Sequence, residues 1–205
     1  MAKRSSITLM LIRCGETTWD AQGRVHGATD LPLSEGGRAA VMAEVQRLGG
    51  ARSTIIHHPQ DEAAADTARL CAMAGEKLRD VAELADPNLG LLEGLTEQEF
   101  AERFRSRSKQ WKDDPITLSP PEGEDVSAAA GRIMRAVAKI IRKSRGESVA
   151  IVLHNLGWSM LRCWIAEKPL SSMRSMEDGP IIERVIIPLS MMDSLEKAAD
   201  GLVTA

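Results

Sequence analysis

The chain has 205 residues, of which 43% are hydrophobic and 27% are charged, and its formal net charge is −3 at pH 7. These values predict one globular domain over residues 1–205 and exclude a disordered or collagen-like chain. The mildly acidic balance also lacks the basic surface that nucleic-acid binding needs, so nucleic acid is excluded as a partner.

The first half of the chain predicts a strand, a helix, a strand and a helix in that order. The apolar segment Ser6–Arg13 is typical of a buried strand. A helix then follows Ser34, a natural N-cap, and stops at Gly49. Residues 53–56 predict the second strand, and residues 61–74, with small apolar residues along one side, predict the second helix.

The second half continues this alternation. Thr96 and Glu99 form a capping-box pattern, which marks the start of a helix. Apolar residues at helical spacing after Val126 predict a long helix, and the apolar run before His154 predicts a strand. The predicted elements are an irregular stretch at 85–94, helices at 96–106, 126–145 and from 157, strands at 148–153 and 183–189, and a terminal helix at 194–205.

Strands that alternate with helices predict an α/β fold, a three-layer sandwich whose central sheet is largely parallel and carries helices on both faces. Ligands of such sheets bind beyond the carboxyl ends of the strands. Two predicted strands end in chemically capable residues there, one at Arg13-Cys14 and the other at His154. Strand geometry alone favours neither a functional nor a purely structural role for these three side chains.

Apolar run lengths and cysteine spacing bear on the location of the protein. No apolar run is long enough to span a bilayer or to form a signal-peptide core, since the N-terminal run is interrupted at Arg13. The three cysteines, Cys14, Cys71 and Cys163, have no paired spacing, which argues against a disulfide framework and for a reducing compartment. We therefore expect a cytoplasmic protein without membrane contact.

Short motifs follow one another in a fixed order along nearly the whole chain. They are 11–20, which reads LIRCGETTWD, then Gly23-Arg24, Gly27, Asp30, Pro32-Leu33-Ser34 and Gly36, then Leu84-Ala85-Asp86 with Gly90 and Glu93-Gly94, then 120–124, Arg132 and 152–155. In this order they resemble the motifs of the histidine phosphatase superfamily, the phosphoglycerate-mutase-like proteins. The resemblance implies a phosphoglycerate-mutase-like sheet with a phosphate-facing cleft.

The resemblance also implies phosphoryl transfer through a phosphohistidine, without a metal or other cofactor. In the family the first-motif histidine attacks phosphorus, two arginines and a second histidine bind the phosphoryl oxygens, and a glutamate protonates the leaving oxygen. By position, Arg13 matches the first arginine and His154 the second histidine. A phosphate monoester needs such groups because positive charge, an in-line nucleophile and an acid each lower the barrier.

Three positions depart from the family pattern. The nucleophile position holds Cys14, and Asp86 stands where the family has its glutamate acid. Asp20 replaces an asparagine whose amide would donate to phosphate. Bond lengths place the Cys14 sulfur about 2 Å short of the attacking ring nitrogen, and a misplacement of about 1 Å can cost on the order of a hundredfold in rate.

The second phosphate-binding arginine has no counterpart, since its position falls on Glu62 or Ala63. Asp61 and Glu62 are interpreted as carboxylates that open a helix and interact with its dipole, in preference to a role in the pocket. His58, or its neighbour His57, is a weak substitute for the arginine, because a neutral imidazole adds no charge.

The segment 94–121 is predicted to be a helical insert over the cleft that sets specificity. Its basic residues are Arg103, Arg105, Arg107, Lys109 and Lys112. A solvated helix face is the favoured interpretation of these charges, and recognition of an extended anionic ligand is the alternative.

These departures favour a catalytically impaired, pseudoenzyme-like member of the family that binds a phosphorylated small molecule or a phosphoprotein. Two alternatives stay open, namely a weak or unusual phosphomonoesterase with a Cys14 nucleophile and a thiol redox sensor at Cys14. The catalytic candidates are Cys14, Asp86 and His154, and the phosphate-binding candidates are Arg13, Asp20, His154 and His58.

Overall fold

The computed structural model describes residues 6–49, 53–72, 76–144 and 148–202. Within these residues, five strands form one sheet: β1 (Ser6–Arg13), β2 (Ile55–His58), β3 (Lys77–Asp80), β4 (Val149–Leu153) and β5 (Ile182–Pro188). Their order across the sheet is β3-β2-β4-β1-β5. All neighbouring pairs are parallel except β1 and β5, which are antiparallel.

Helices cover both faces of this sheet, so the predicted α/β fold with a largely parallel sheet is confirmed. The helices are α1 (Thr18–Ala21), α2 (Glu35–Leu48), α3 (Glu62–Cys71), α4 (Glu97–Arg103), α5 (Arg105–Asp113), α6 (Val126–Lys143), α7 (Asn155–Ile165) and α8 (Met192–Gly201). In the described ranges, none of them is long and apolar enough to cross a membrane.

The sheet separates two hydrophobic cores, and β1 shows how. Leu9 and Leu11 belong to the core that α6 and α7 cover, whereas Met10 and Ile12 belong to the core under α2 and α3. Successive residues of a strand face opposite sides of the sheet. A strand that is buried on both faces therefore needs an unbroken apolar sequence, which is the pattern that predicted β1.

Local capping signals fix several helix ends where the sequence predicts them. The Ser34 side chain accepts a hydrogen bond from the Gly37 amide at the start of α2, and Gly49 takes a left-handed conformation with a φ of 75° after its last residue. Thr96 and Glu99 form the expected capping box of α4. These ends depend on neighbouring residues alone, which explains why they are predictable.

Three predicted boundaries are wrong, and one strand is missing from the predictions. β3 has the polar, exposed sequence Lys-Leu-Arg-Asp and exists as an edge strand because its backbone pairs with β2. β2 lies at Ile55–His58 rather than at 53–56. The helix predicted at 96–106 ends at Arg103, where Phe104 leaves the helical conformation, and α5 follows. α7 begins at Asn155, two residues early, because a distant carboxylate caps its first turn.

The remaining predicted elements agree with the structure to within a few residues. The strands at 148–153 and 183–189 correspond to β4 and β5, and the terminal helix corresponds to α8. The predicted helix ends at 73–74 and near 145, and the last three residues of the tail, lie outside the described residues.

Candidate functional site

The carboxyl ends of β1 and β4 lie side by side and position the site. Arg13 pairs with Leu153 in the parallel register, and the Cys14 amide donates to the Leu153 carbonyl oxygen at 2.8 Å. The two chemically capable strand ends are therefore neighbours. Cys14 and His154, which follow directly after these strands, come together at one edge of the sheet.

The Cys14 thiol occupies a buried, hydrogen-bonded position at this edge. Its Sγ is 3.5 Å from Thr67 Oγ1, and the Gly15 amide donates to the same oxygen at 3.0 Å. Because that amide uses the hydroxyl oxygen as an acceptor, the Thr67 hydroxyl hydrogen can be donated to the sulfur. Only 6% of Cys14 is exposed, and the residue opens into a cavity that Arg13 also lines.

His154 forms a buried ion pair with Asp61. Its Nε2 is 2.9 Å from Asp61 Oδ1, and the same oxygen accepts the Ala64 amide at 2.9 Å as the N-cap of α3. Burial lowers the pKa of His154, but the neighbouring Cys14 and Asp61 outweigh it and raise the pKa well above its usual value. Burial likewise raises the pKa of Asp61, yet the bond to His154 leaves it below the usual value.

This ion pair revises the interpretation of the carboxylates at the start of α3. Asp61 does open the helix, as predicted, but it also faces the cleft, where it lines a cavity together with Asp86 and His154. The preference for a helix-opening role alone is therefore wrong for Asp61. Glu62 is exposed in the first turn of α3, in accord with the prediction.

A second histidine, His26, lies beside His154, and their ring centroids are 5.3 Å apart in an edge-to-face arrangement. His26 Nε2 donates to the Thr29 carbonyl oxygen at 3.0 Å, while its Nδ1 faces Asp20 Oδ2 at 3.6 Å. Burial lowers the pKa of His26, but the interaction with Asp20 outweighs it and the net pKa is raised. Asp20 also accepts the amide and hydroxyl of Thr17 at 2.8 and 2.6 Å.

His26 is a site residue that the sequence analysis did not select. The sequence feature that could have pointed to His26 is its position between Gly23 and Gly27, inside the motif segment that carries the resemblance. Asp20 is a predicted phosphate-binding residue, and in the structure its side chain completes the capping box of α1 and faces His26. A phosphate contact for Asp20 stays a prediction.

Asp86 lies in the cleft, but both of its carboxylate oxygens accept hydrogen bonds from backbone amides of α7. Oδ1 accepts the Gly157 amide at 2.8 Å and Oδ2 accepts the Leu156 amide at 3.1 Å. His154, the N-cap residue of α7, provides no side-chain cap, so Asp86 supplies the missing acceptors from a distant loop. Burial raises the pKa of Asp86 and outweighs the nearby His154 and the two amides, which act in the opposite direction.

The Arg13 guanidinium contacts the segment that precedes β5. Nη1 donates to the Glu177 carbonyl oxygen at 2.8 Å, and Nη2 donates to that of Gly179 at 3.1 Å. The guanidinium also lies over the Trp158 ring, 5.2 Å from its centroid. A phosphate bound at Arg13 would therefore share the guanidinium with these carbonyl oxygens.

The two histidines that end β2 take different environments. His58 Nδ1 donates to the adjacent Pro59 carbonyl oxygen at 2.6 Å. His57 lines a separate cavity over β2 and β3, away from Cys14. Compensation for the missing arginine by His58 or His57 stays a prediction, and these contacts do not favour it.

The segment 94–121 contains α4 and α5 and forms one wall of the cleft. Phe100 and Trp111 line a cavity that also contains Asp86 and His154. Of the five basic residues in this segment, Lys112 lines the cavity and pairs with Glu97 at 3.0 Å, and all five are exposed. The exposure of all five favours a solvated face, whereas the place of Lys112 on the cavity favours recognition of an anionic ligand, so both interpretations stay predictions.

Comparison with known proteins identifies the class to which this site belongs. The family model of the histidine phosphatase superfamily (branch 1) matches residues 9–181, so the chain belongs to this superfamily. A metal-independent phosphoserine phosphatase of Arabidopsis thaliana is 32% identical over 150 residues, which are 71% of this chain and 63% of the relative. Phosphoglycerate mutase-like protein 4 of the same plant is 28% identical over 153 residues, covering 71% of this chain and 65% of the relative.

Among solved structures, Bacillus stearothermophilus YhfR superposes with a TM-score of 0.78 at 27% identity, covering 88% of this chain and 90% of that chain. The phosphoglycerate-mutase-like fold implied by the resemblance is therefore confirmed. The chain spans slightly less than two thirds of the length of the two plant relatives.

Proposed function

We propose that this protein binds a phosphorylated ligand in the cleft at Cys14 and His154 but hydrolyses phosphate monoesters poorly. The observation that carries this proposal is the ion pair between His154 Nε2 and Asp61 Oδ1 at 2.9 Å. The resemblance assigns His154 to the phosphoryl oxygens, and a carboxylate oxygen now takes that hydrogen bond. An incoming phosphate must displace Asp61 or share His154 with it, next to a like charge.

The nucleophile position supports impaired chemistry. Cys14 stands where the family has its attacking histidine, and its sulfur is held beside Thr67 with little exposed surface. In-line attack requires the nucleophile within about 3 to 3.5 Å of phosphorus. The shorter side chain and its buried position both oppose that approach.

The acid and the arginine positions support the same conclusion. Asp86 holds two backbone amides of α7 with its two oxygens. To protonate a leaving oxygen, Asp86 must carry a proton on one of these two oxygens. That oxygen would then be a donor beside a backbone N–H group, which is also a donor, and this arrangement is disfavoured. Neither Glu62 nor Ala63 supplies the second guanidinium. A guanidinium at this position can stabilise the transition state by about 3 kcal/mol.

A second candidate function is phosphoryl transfer through Cys14. The neighbouring Cys14 helps to raise the pKa of His154 well above its usual value, so the two side chains interact. A cysteine beside a histidine is an arrangement that nucleophilic enzymes use. The third hypothesis, a redox sensor, needs a resolving cysteine, and Cys71 packs in the same core as Cys14. Burial raises the pKa of Cys71 to about 12 and also raises that of Cys163, which disfavours the reactive thiolate at both positions.

A panel of phosphate monoesters, assayed with the wild type and with Cys14→Ala, separates these functions. We expect both proteins to bind phosphate or vanadate weakly by calorimetry and to turn over para-nitrophenyl phosphate at indistinguishable, very low rates. Turnover by the wild type that Cys14→Ala abolishes would instead establish the cysteine mechanism. An empty cleft in both proteins, with anions bound elsewhere, would contradict the phosphate-binding part of the proposal.

Restoring the nucleophile tests whether the defects are independent. Cys14→His alone should give at most slow turnover, since the arginine is still absent and Asp61 still occupies His154. Adding Glu62→Arg should help more in the Cys14→His background than in the wild type, because both groups act on one transition state. Position 63 is not usable for this purpose, since Ala63 is completely buried. Turnover of about 10 per second by Cys14→His alone would show that Cys14 is the sole lesion.

A further inference from the structure

A second cavity lies over β2 and β3, on the side of the sheet that faces α6. Its volume is about 690 Å³, which falls within the range of about 300 to 1,000 Å³ of small-molecule sites. The cavity forms because α6 covers the centre of the sheet and leaves the edge at β2 and β3 open. Its apolar walls come from Ile55, Val81, Ala136, Ile140 and Val149.

Three cations surround this cavity. Arg79 stands on β3, and Lys139 and Lys143 stand one turn apart on α6. Among the described residues, none of the three is engaged in an ion pair. The acidic groups at the cavity are Asp80, which accepts the Gln60 amide at 2.9 Å, and Glu83. With three cations and two carboxylates the lining has one net positive charge, and the Asp80 carboxylate interacts with Arg79.

His57 adds a neutral ring to the lining. It is 9% exposed, and burial, together with the charge of Arg79, lowers its pKa to about 4. At neutral pH the imidazole is therefore uncharged, and it contributes a flat surface beside Ile55. An apolar interior with charge confined to its rim is the arrangement that suits an amphipathic anion.

We propose that this cavity is a binding site for a small organic anion with an aromatic body, distinct from the cleft at Cys14 and His154. The aromatic body would pack against Ile140 and Val149, and the anionic group would lie among the three cations. Gln60 and Ala82 line both this cavity and the one that contains Asp61 and His154. An occupant would therefore contact the residue that precedes Asp61, although the proposal does not depend on the function of the cleft.

Two fluorescent probes of matched shape test the proposal with the full chain. One is 8-anilinonaphthalene-1-sulfonate, an aromatic anion, and the other is N-phenyl-1-naphthylamine, which lacks the sulfonate. We expect saturable binding of the anion with one site per chain and binding of the neutral probe that is at least about tenfold weaker, equivalent to 1.4 kcal/mol. Equal affinity for the two probes would overturn the assignment of the site to anions.

Variants locate the bound probe. Ala136→Trp fills the cavity from α6, and Ser148→Trp blocks it from an exposed position at its edge, so a folding failure of the first still leaves the second. Either change should abolish saturable binding while near-UV circular dichroism stays native-like. Unchanged binding in a folded Ser148→Trp variant would show that the probe binds elsewhere and would overturn the proposal.

Charge reversal with a matched control tests the rim. Lys139→Glu with Lys143→Glu should weaken binding of the sulfonate about tenfold or more. Lys109→Glu with Lys197→Glu changes the net charge equally at exposed positions outside this cavity and should leave binding within about twofold. Equal weakening by both pairs would contradict a local role of the rim. Retention of probe binding by Cys14→Ala separates this site from the cleft.

Discussion

The cleft at the carboxyl edge of β1 and β4 and the cavity over β2 and β3 differ in how their charged side chains are paired. In the cleft, His154 pairs with Asp61, His26 faces Asp20, and Asp86 holds two backbone amides. In the cavity, Arg79, Lys139 and Lys143 form no salt bridge among the described residues, although the Asp80 carboxylate interacts with Arg79. The two histidines of the cleft are paired with carboxylates within the chain, whereas the three cations of the cavity form no salt bridge among the described residues.

This difference determines what a ligand must do in each region. A phosphate that enters the cleft must displace Asp61 from His154 or share His154 with it, and a buried charge that loses its partner is costly. An anion that enters the cavity meets three exposed cations that form no salt bridge among the described residues. We therefore propose that the cleft binds anions less readily than the cavity does.

The largest expected effect comes from removing the carboxylate that caps α7. Asp86→Ala leaves the Leu156 and Gly157 amides buried without acceptors and should lower the free energy of unfolding by about 3 kcal/mol. Asp86→Asn keeps one carbonyl acceptor and should lose about half as much. Urea denaturation of the three proteins measures this. A loss below about 1 kcal/mol in the alanine variant would show that the cleft carboxylate is not needed for folding and is free for other roles.

The next effect uses pH, because the two regions should respond with opposite signs. The pKa of His57 is lowered to about 4 from 6.5. Between these values the unfolded chain binds a proton that the folded chain does not, so stability falls as pH falls. The loss amounts to about 2 to 3 kcal/mol. His57→Gln should remove this dependence, which thermal unfolding at pH 4.5 and 7 would show as a smaller difference than in the wild type.

His154 provides the contrasting case for the same experiment. Its pKa is raised well above 6.5, so its stabilising contribution is complete below pH 6.5 and is lost as pH rises through the pKa of the folded state. The stability deficit of His154→Gln relative to the wild type should therefore shrink at high pH. A deficit that grows with pH would contradict the buried ion pair with Asp61.

The sequence predicted the features that depend on neighbouring residues. The buried strands β1 and β4, the caps at Ser34 and Thr96, and the juxtaposition of Cys14 with His154 all follow from local patterns and parallel topology. It missed β3, whose polar residues are strand only because β2 offers a backbone partner. It also missed the second role of Asp61, since the distance from an N-cap to a histidine 93 positions away is a property of the folded chain.

The smallest of these effects bears most directly on the comparison between the two regions. Asp61→Asn keeps an oxygen that can cap α3, because asparagine is about as good an N-cap as aspartate, and it removes the negative charge at His154. Below the pKa of His154 in both proteins, which NMR titration of the imidazole gives for each, vanadate should bind the cleft of Asp61→Asn about tenfold more tightly, a gain of 1.4 kcal/mol. Glu62→Gln removes the same charge from an exposed position in the first turn of α3 and should change vanadate binding by less than about twofold. The fluorescent anion at the β2 and β3 cavity should bind both variants as it binds the wild type, since neither Asp61 nor Glu62 lines that cavity. Calorimetric titration with vanadate decides the matter. Unchanged vanadate affinity in Asp61→Asn would mean that the ion pair does not limit anion binding, and that the cleft and the cavity differ in shape rather than in charge.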